Sequence, residues 1–273
     1  MIPLLEPRPS RYQQSTDDSR QNRELFQRIK ETVPTDPETY ADPAQLLQLP
    51  FPFLWGQLPS DRFDISEAQF TYMGREMFKE LWNKVETMRR IPHARDLFLC
   101  GTVGYGKSHI LACIALLLIQ KGEGVVYLPD CRALLGNVVP YVKAAMLLTF
   151  GDSPEIQQQV QGLRTMADIT DFFLYRTPSR KIFFIIDRYD AIEPVTEPCR
   201  DNISNARKEI VEEFLSNITG PNRRIRSVSA NYMTFRHPAR EQTNDIKIFA
   251  EGGLSEVSWG VTGLPGMTLL TMG

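Results

Sequence analysis

Asp96-Leu97-Phe98-Leu99-Cys100-Gly101-Thr102-Val103-Gly104-Tyr105-Gly106-Lys107-Ser108-His109-Ile110-Leu111-Ala112 is the stretch that decides the fold of this chain of 273 residues. An apolar run, predicted as a strand over Leu97–Cys100, feeds a G-x-x-x-x-G-K-[ST] pattern, and the pattern opens an apolar helix predicted over Ser108–Lys121. Strand, glycine-rich loop and helix in that order form a phosphate-binding unit. The glycines let consecutive N–H groups converge on an anion where a Cβ would obstruct it. The helix adds its positive dipole end and its unpaired N–H groups. Gly101, Val103, Gly104, Tyr105, Gly106, Lys107, Ser108 and His109 are therefore the candidate nucleotide-binding residues. Lys107 is placed to bridge the β- and γ-phosphates, and the Ser108 hydroxyl to ligate Mg²⁺.

A triphosphate site also needs a metal-holding acid at the end of an apolar strand. Asp187, after Lys181-Ile182-Phe183-Phe184-Ile185-Ile186, meets that description. With Ser108 it makes the candidate metal pair. A second acid commonly follows the metal acid, but Arg188 stands there. The water-orienting role falls to Asp190, with Glu193 as the weaker candidate. Asn231, or Ser229 before it, ends a further strand and is suited to sense the terminal phosphate through an amide or hydroxyl. Arg236 and Arg240 read more simply as surface residues than as phosphate fingers.

Around this centre, strands alternate with helices. Gly124–Leu128, Lys181–Asp187, Ile225–Ala230 and a weaker Ile246–Phe249 read as strands, and Tyr141–Leu148 and Ala206–Ile218 as helices. The expected fold is α/β: a doubly wound, mainly parallel sheet of P-loop NTPase type, flanked by helices, with the site at the strands' carboxyl ends. Residues 1–45, rich in Pro, Gln, Ser, Asp and Arg, are expected to be a disordered or loosely packed tail, with one short amphipathic helix around Leu25, Phe26 and Ile29. Residues 46–95 are an expected N-terminal extension packed on the core. In it Leu49–Trp55 is extended, and Glu67–Met88 is one helix or two. The core spans 96–257, and 258–273 reads as an irregular, truncated C-terminus.

Composition narrows the classes. With 31 Lys+Arg against 33 Asp+Glu, the chain offers no electrostatic case for nucleic acid, and the cluster Arg223, Arg224, Arg226 reads as a solvated turn. Four cysteines without C-x-x-C pairing suggest no zinc site and a reducing compartment. The start of the chain has no secretory pattern, and the run Ile110–Ile119 is about half a membrane span, so a soluble, intracellular protein is expected.

With these residues placed, the chain resembles the NTPase domain of Crinkler-type effector proteins of oomycetes and fungi. The likeness lies in Tyr72–Glu76, Gly104–Ala112, Val126–Arg132, Ile185–Asp187, Ser229–Tyr232 and Gly252–Glu256, and spans about residues 47 to 257. The resemblance implies a hydrolytic P-loop ATPase related to the signalling and AAA-like branches. It assigns Lys107 and Ser108 to phosphate and Mg²⁺, Asp187 to the metal and Asn231 to sensing. It also implies a coupled C-terminal nuclease-like domain, action inside host cells or nuclei, and through these a possible nucleic-acid partner. Neither the family's N-terminal translocation region nor a nuclease constellation is recognisable here. The leading expectation is Mg²⁺-dependent ATP binding with slow hydrolysis, coupled to a protein partner or a further domain. An ATP-dependent interaction module with little turnover is the alternative, and a small-molecule kinase a distant third.

Overall fold

The computed structural model describes residues 11–55, 58–91, 96–101, 104–176, 182–193, 203–220, 222–229 and 246–249. Five strands form one all-parallel sheet: β4 (Asp96–Gly101), β5 (Gly124–Leu128), β6 (Ile182–Ile186), β7 (Arg223–Ser229) and β8 (Ile246–Phe249), in the order β5-β6-β7-β4-β8. β5 and β6 are buried along their whole length, as strands covered on both faces must be. Helix α4 (Lys107–Gln120) returns the chain from β4 to the far edge at β5, and α9 (Asn205–Thr219) links β6 to β7. The direction reverses between these crossovers. That reversal and the flanking helices are consistent with a doubly wound α/β fold.

A smaller antiparallel sheet precedes the core: β1 (Leu46–Pro50), β2 (Ile65–Ser66) and β3 (Gln69–Met73), in the order β1-β3-β2. This corrects the expected helix from Glu67. Only α3 (Met77–Arg90) is helical there, burying Phe78, Leu81, Trp82, Val85 and Met88. In β3, Phe70 and Tyr72 are buried and Thr71 between them is exposed, which is the two-residue period of a strand. The β2–β3 turn is a two-residue hairpin with both central residues at positive φ, Glu67 at 52° and Ala68 at 57°.

The expected tail is a second correction. Helix α1 (Arg11–Thr32) runs through it, and Leu25, Phe26, Ile29 and Val33 are buried in the same apolar cluster as the sheet. The reason lies in α4 and in α6 (Val138–Thr149). Every residue of α4 from Ile110 to Ile119 is buried, so the helix needs cover on its outer side as well as from the sheet. α1 packs on both helices. Arg23 Nη1 donates to Gln157 Oε1 at 2.9 Å, and Lys30 Nζ donates to the Gln120 carbonyl at 2.8 Å, setting a cation at the α4 C-terminus. Residues 1–10 and 258–273 lie outside the described residues.

A third correction concerns the arginine cluster, which lies on β7 and not in a turn. Arg224 and Arg226 both pair with Asp96, and Arg223 stands 5.0 Å from the centre of the Phe183 ring. Among the described residues no helix is long and apolar enough to cross a membrane.

Candidate nucleotide site

The glycine-rich loop leaves β4 at Gly101, the last residue of the strand, paired in register with Ser229 at the end of β7. Gly104 (φ 92°) and Gly106 (φ 73°) adopt conformations that side chains disfavour. No described atom lies within 4 Å of the point a Gly104 Cβ would occupy, so the backbone there faces open space. At Gly106 the opposite holds: a Cβ would meet the Arg75 guanidinium at 2.5 Å, and Arg75 Nη1 also donates to the Tyr105 carbonyl at 3.4 Å. Gly106 stands at the N-cap of α4 and, having no side chain, supplies no cap of its own to the helix's first turn. These amides are what an anion requires. Val103 lies outside the described residues.

Lys107 Nζ donates to the Gly101 carbonyl at 2.7 Å and so arches over the loop. Burial lowers its pKa, against the opposing charges of Asp187 and Asp190. Those acids thus lie close enough to act on the lysine. Asp187 follows β6 and is 1% exposed; its N–H donates to the Leu128 carbonyl at 3.0 Å, which ties it to the end of β5. One carboxylate oxygen accepts from the Ser227 hydroxyl on β7 and from the Arg188 N–H. Since β7 lies between β6 and β4, Asp187 stands two strand spacings from the loop strand, roughly 10 Å.

The other oxygen of Asp187 is taken by a residue that the sequence did not single out. Arg62, in the loop from β1 to β2, donates from Nη1 both to that oxygen and to the Ser108 hydroxyl, the latter at 3.1 Å. Its Nη2 donates to the Pro129 carbonyl at 2.9 Å and lies 3.2 Å from Asp130 Oδ2. Burial alone would lower the Arg62 pKa, but Asp187 and Asp130 outweigh it and hold the guanidinium charged. Asp130 also caps helix α5 (Cys131–Gly136) by accepting from the Arg132 N–H, and Arg132 reaches on to Asp61 at 2.7 Å. Ser108 and Asp187, expected as a pair from sequence, are therefore brought to one cationic atom.

Asp190 lies in a 3₁₀ turn, Tyr189–Ile192, directly after Asp187 and Arg188. Burial raises its pKa and the Asp187 charge adds to this, while Arg188 and Lys107 oppose it. Arg188 takes a left-handed backbone (φ 57°) and turns its side chain away toward Asp61, at 3.5 Å. Asn231, Arg236 and Arg240 lie outside the described residues.

His109 follows Ser108 and packs its ring 4.5 Å from Phe63 and 6.1 Å from Phe70. Burial lowers its pKa to about 4, helped by the positive charges of Arg75 and Arg62. The folded protein thus refuses a proton that the unfolded chain accepts below about 6.5. Stability from this group is full above that pH and falls as pH drops toward 4. Unfolding free energies from urea titration of the nucleotide-free protein at pH 7.5 and 4.5 should differ more than those of His109→Gln, by about 3 kcal/mol at most.

Neither a comparison with protein-family models nor one with curated protein sequences finds a match to this chain. A serine hydroxyl and a carboxylate are hard oxygen donors suited to Mg²⁺, which takes the rest of its shell from phosphate and water. Among the described residues there is no group of three His, Cys, Asp or Glu that could hold a metal, so these two donors would need the nucleotide's own oxygens to complete a site.

Proposed function

We propose that this chain is a Mg²⁺-dependent ATP-binding domain of the hydrolytic P-loop class, with slow turnover that drives or switches a partner or coupled domain. The observation that carries the reading is the convergence of Ser108 and Asp187 on one cationic atom beside a glycine-capped helix N-terminus and Lys107. The strand order supports it, since β7 between the loop strand and the acid-bearing strand fits the hydrolytic branch implied by the resemblance. In this reading, loop amides from Gly104 to Lys107 and the Lys107 ammonium bind phosphate oxygens. Ser108 and Asp187 hold Mg²⁺, which when bound neutralises charge on the β- and γ-oxygens. Asp190 orients the attacking water. ATP is preferred to GTP because the sequence has no N-K-x-D guanine-reading motif.

Calorimetry with ATP and Mg²⁺ tests this directly. Lys107→Ala should weaken binding by about a hundredfold, the loss of two charge-assisted contacts. Equal affinity in wild type and variant would overturn the reading. The side chain of Arg188, where a second acid is usual, favours the module with little turnover as a second reading. Single-turnover phosphate release, with and without a candidate partner, separates the two.

A further inference from the structure

Arg62 is the feature of this site that the nucleotide reading does not use. Its side chain is 16% exposed and ends on the two groups proposed to hold Mg²⁺. The neighbouring Phe63 is buried, 4.9 Å from the Phe51 ring and 4.5 Å from the His109 ring, and so anchors the Arg62 backbone against the first turn of α4. Asp187 needs a counter-charge whether or not a metal is present, because a buried carboxylate without one is costly. The guanidinium supplies it when no metal is bound.

We propose that Arg62 is a built-in occupant of the metal position, which Mg²⁺–nucleotide must displace, so that metal loading and the position of the 58–63 loop are one equilibrium. The proposal rests on the nucleotide reading of the site and adds its control. A guanidinium nitrogen and Mg²⁺ cannot both contact the Ser108 hydroxyl and the same Asp187 oxygen, since the space is shared and the charges repel. The Nη2 side offers the displaced group a hold, at the Pro129 carbonyl and Asp130. Asp61, 3.5 Å from Nε, offers a second acceptor on the outer side. A cleft of about 460 Å³ lined by Leu58, Pro59, Ser60, Asp61, Asp130 and Arg132 lies on that side and gives the loop room. Nε itself is buried and makes no hydrogen bond, as does the Tyr127 hydroxyl, whose electrostatic neighbours are Asp187 and Arg62.

The test is a Mg²⁺ titration of adenosine 5′-(β,γ-imido)triphosphate binding to the full chain. Arg62→Gln should lower the half-saturating free Mg²⁺ by about tenfold, the effect of losing one charged hydrogen bond that competes with the metal. Arg62→Lys, which keeps the charge without the fork, should fall between. It carries the test alone if Arg62→Gln fails to fold. In wild type, hydrogen exchange over residues 58–63 should rise when Mg²⁺ and the nucleotide are added together. An unchanged or raised Mg²⁺ requirement in the variants, or exchange that does not rise, overturns the proposal. If both proteins bind nucleotide with the same Mg²⁺ midpoint, only the Arg62 proposal fails. If neither binds nucleotide, the nucleotide reading fails and the proposal falls with it.

Discussion

A chain beginning at residue 47 is expected to lose cooperative folding, although the composition of the segment removed reads as a dispensable tail. The removed part contributes Leu25, Phe26, Ile29, Val33 and Tyr40 to the core, each no more than 7% exposed. Burial of a large apolar side chain is worth about 1.5–3 kcal/mol, so the loss is on the order of 10 kcal/mol. That equals the whole stability of an ordinary domain. The truncation would also uncover the outer faces of α4 and α6. It removes the Tyr40 ring stacked 5.0 Å from Phe78, and with it the carbonyl that accepts from the Tyr72 hydroxyl at 3.1 Å. The check is thermal and urea unfolding of the truncated and full chains. A sharp transition at the native midpoint in the short form would show that α1 adds nothing. Ile29→Ala, at 0% exposure, is the graded version, with an expected loss of about 2–4 kcal/mol.

Asp187→Ala should have the second large effect, and on two separate properties. In the nucleotide-free protein it strands the Arg62 guanidinium and the Ser227 hydroxyl. Breaking a buried pair from one side costs about 3–5 kcal/mol. The lower end is expected here because Asp130 still stands 3.2 Å from Arg62. The double variant Arg62→Met, Asp187→Leu should recover much of that loss, since two apolar side chains replace a desolvated pair. A coupling energy near zero in the cycle of Arg62→Met, Asp187→Leu and the two together would show that the two residues act independently. Phosphate release from ATP should meanwhile fall by about a hundredfold or more in Asp187→Ala, and the double variant should not restore it. Stability rescued without turnover would separate the two duties of this carboxylate.

The features read correctly from sequence are those in which neighbours along the chain settle the matter. β4, the glycine-rich loop and α4 are contiguous, and the strand bounds Gly124–Leu128 and Ile246–Phe249 come out as expected. Asp187 is legible because five apolar residues ahead of it can only be a buried strand, which places the acid at that strand's carboxyl end. The β2–β3 hairpin is not legible, because its turn uses Glu67 and Ala68 where Asn-Gly would announce it. The short alternation Phe70-Thr71-Tyr72 is then absorbed into the helical spacing of Phe78, Leu81 and Val85.

The order of residues was enough to specify an α/β chain with a glycine-rich loop between a strand and a helix, and to single out Ser108 and Asp187, which the structure brings onto one side chain. Local spacing suffices there, because a strand–loop–helix unit and a strand-end acid are written in consecutive residues. Packing in three dimensions made the polar N-terminal segment part of the core. It also set Arg62, 46 residues before Ser108 and 125 before Asp187, on both of them. The physical reason is the same in each case. A buried charge and an all-apolar helix each demand a partner, and what supplies it depends on which distant segment the packed sheet brings alongside.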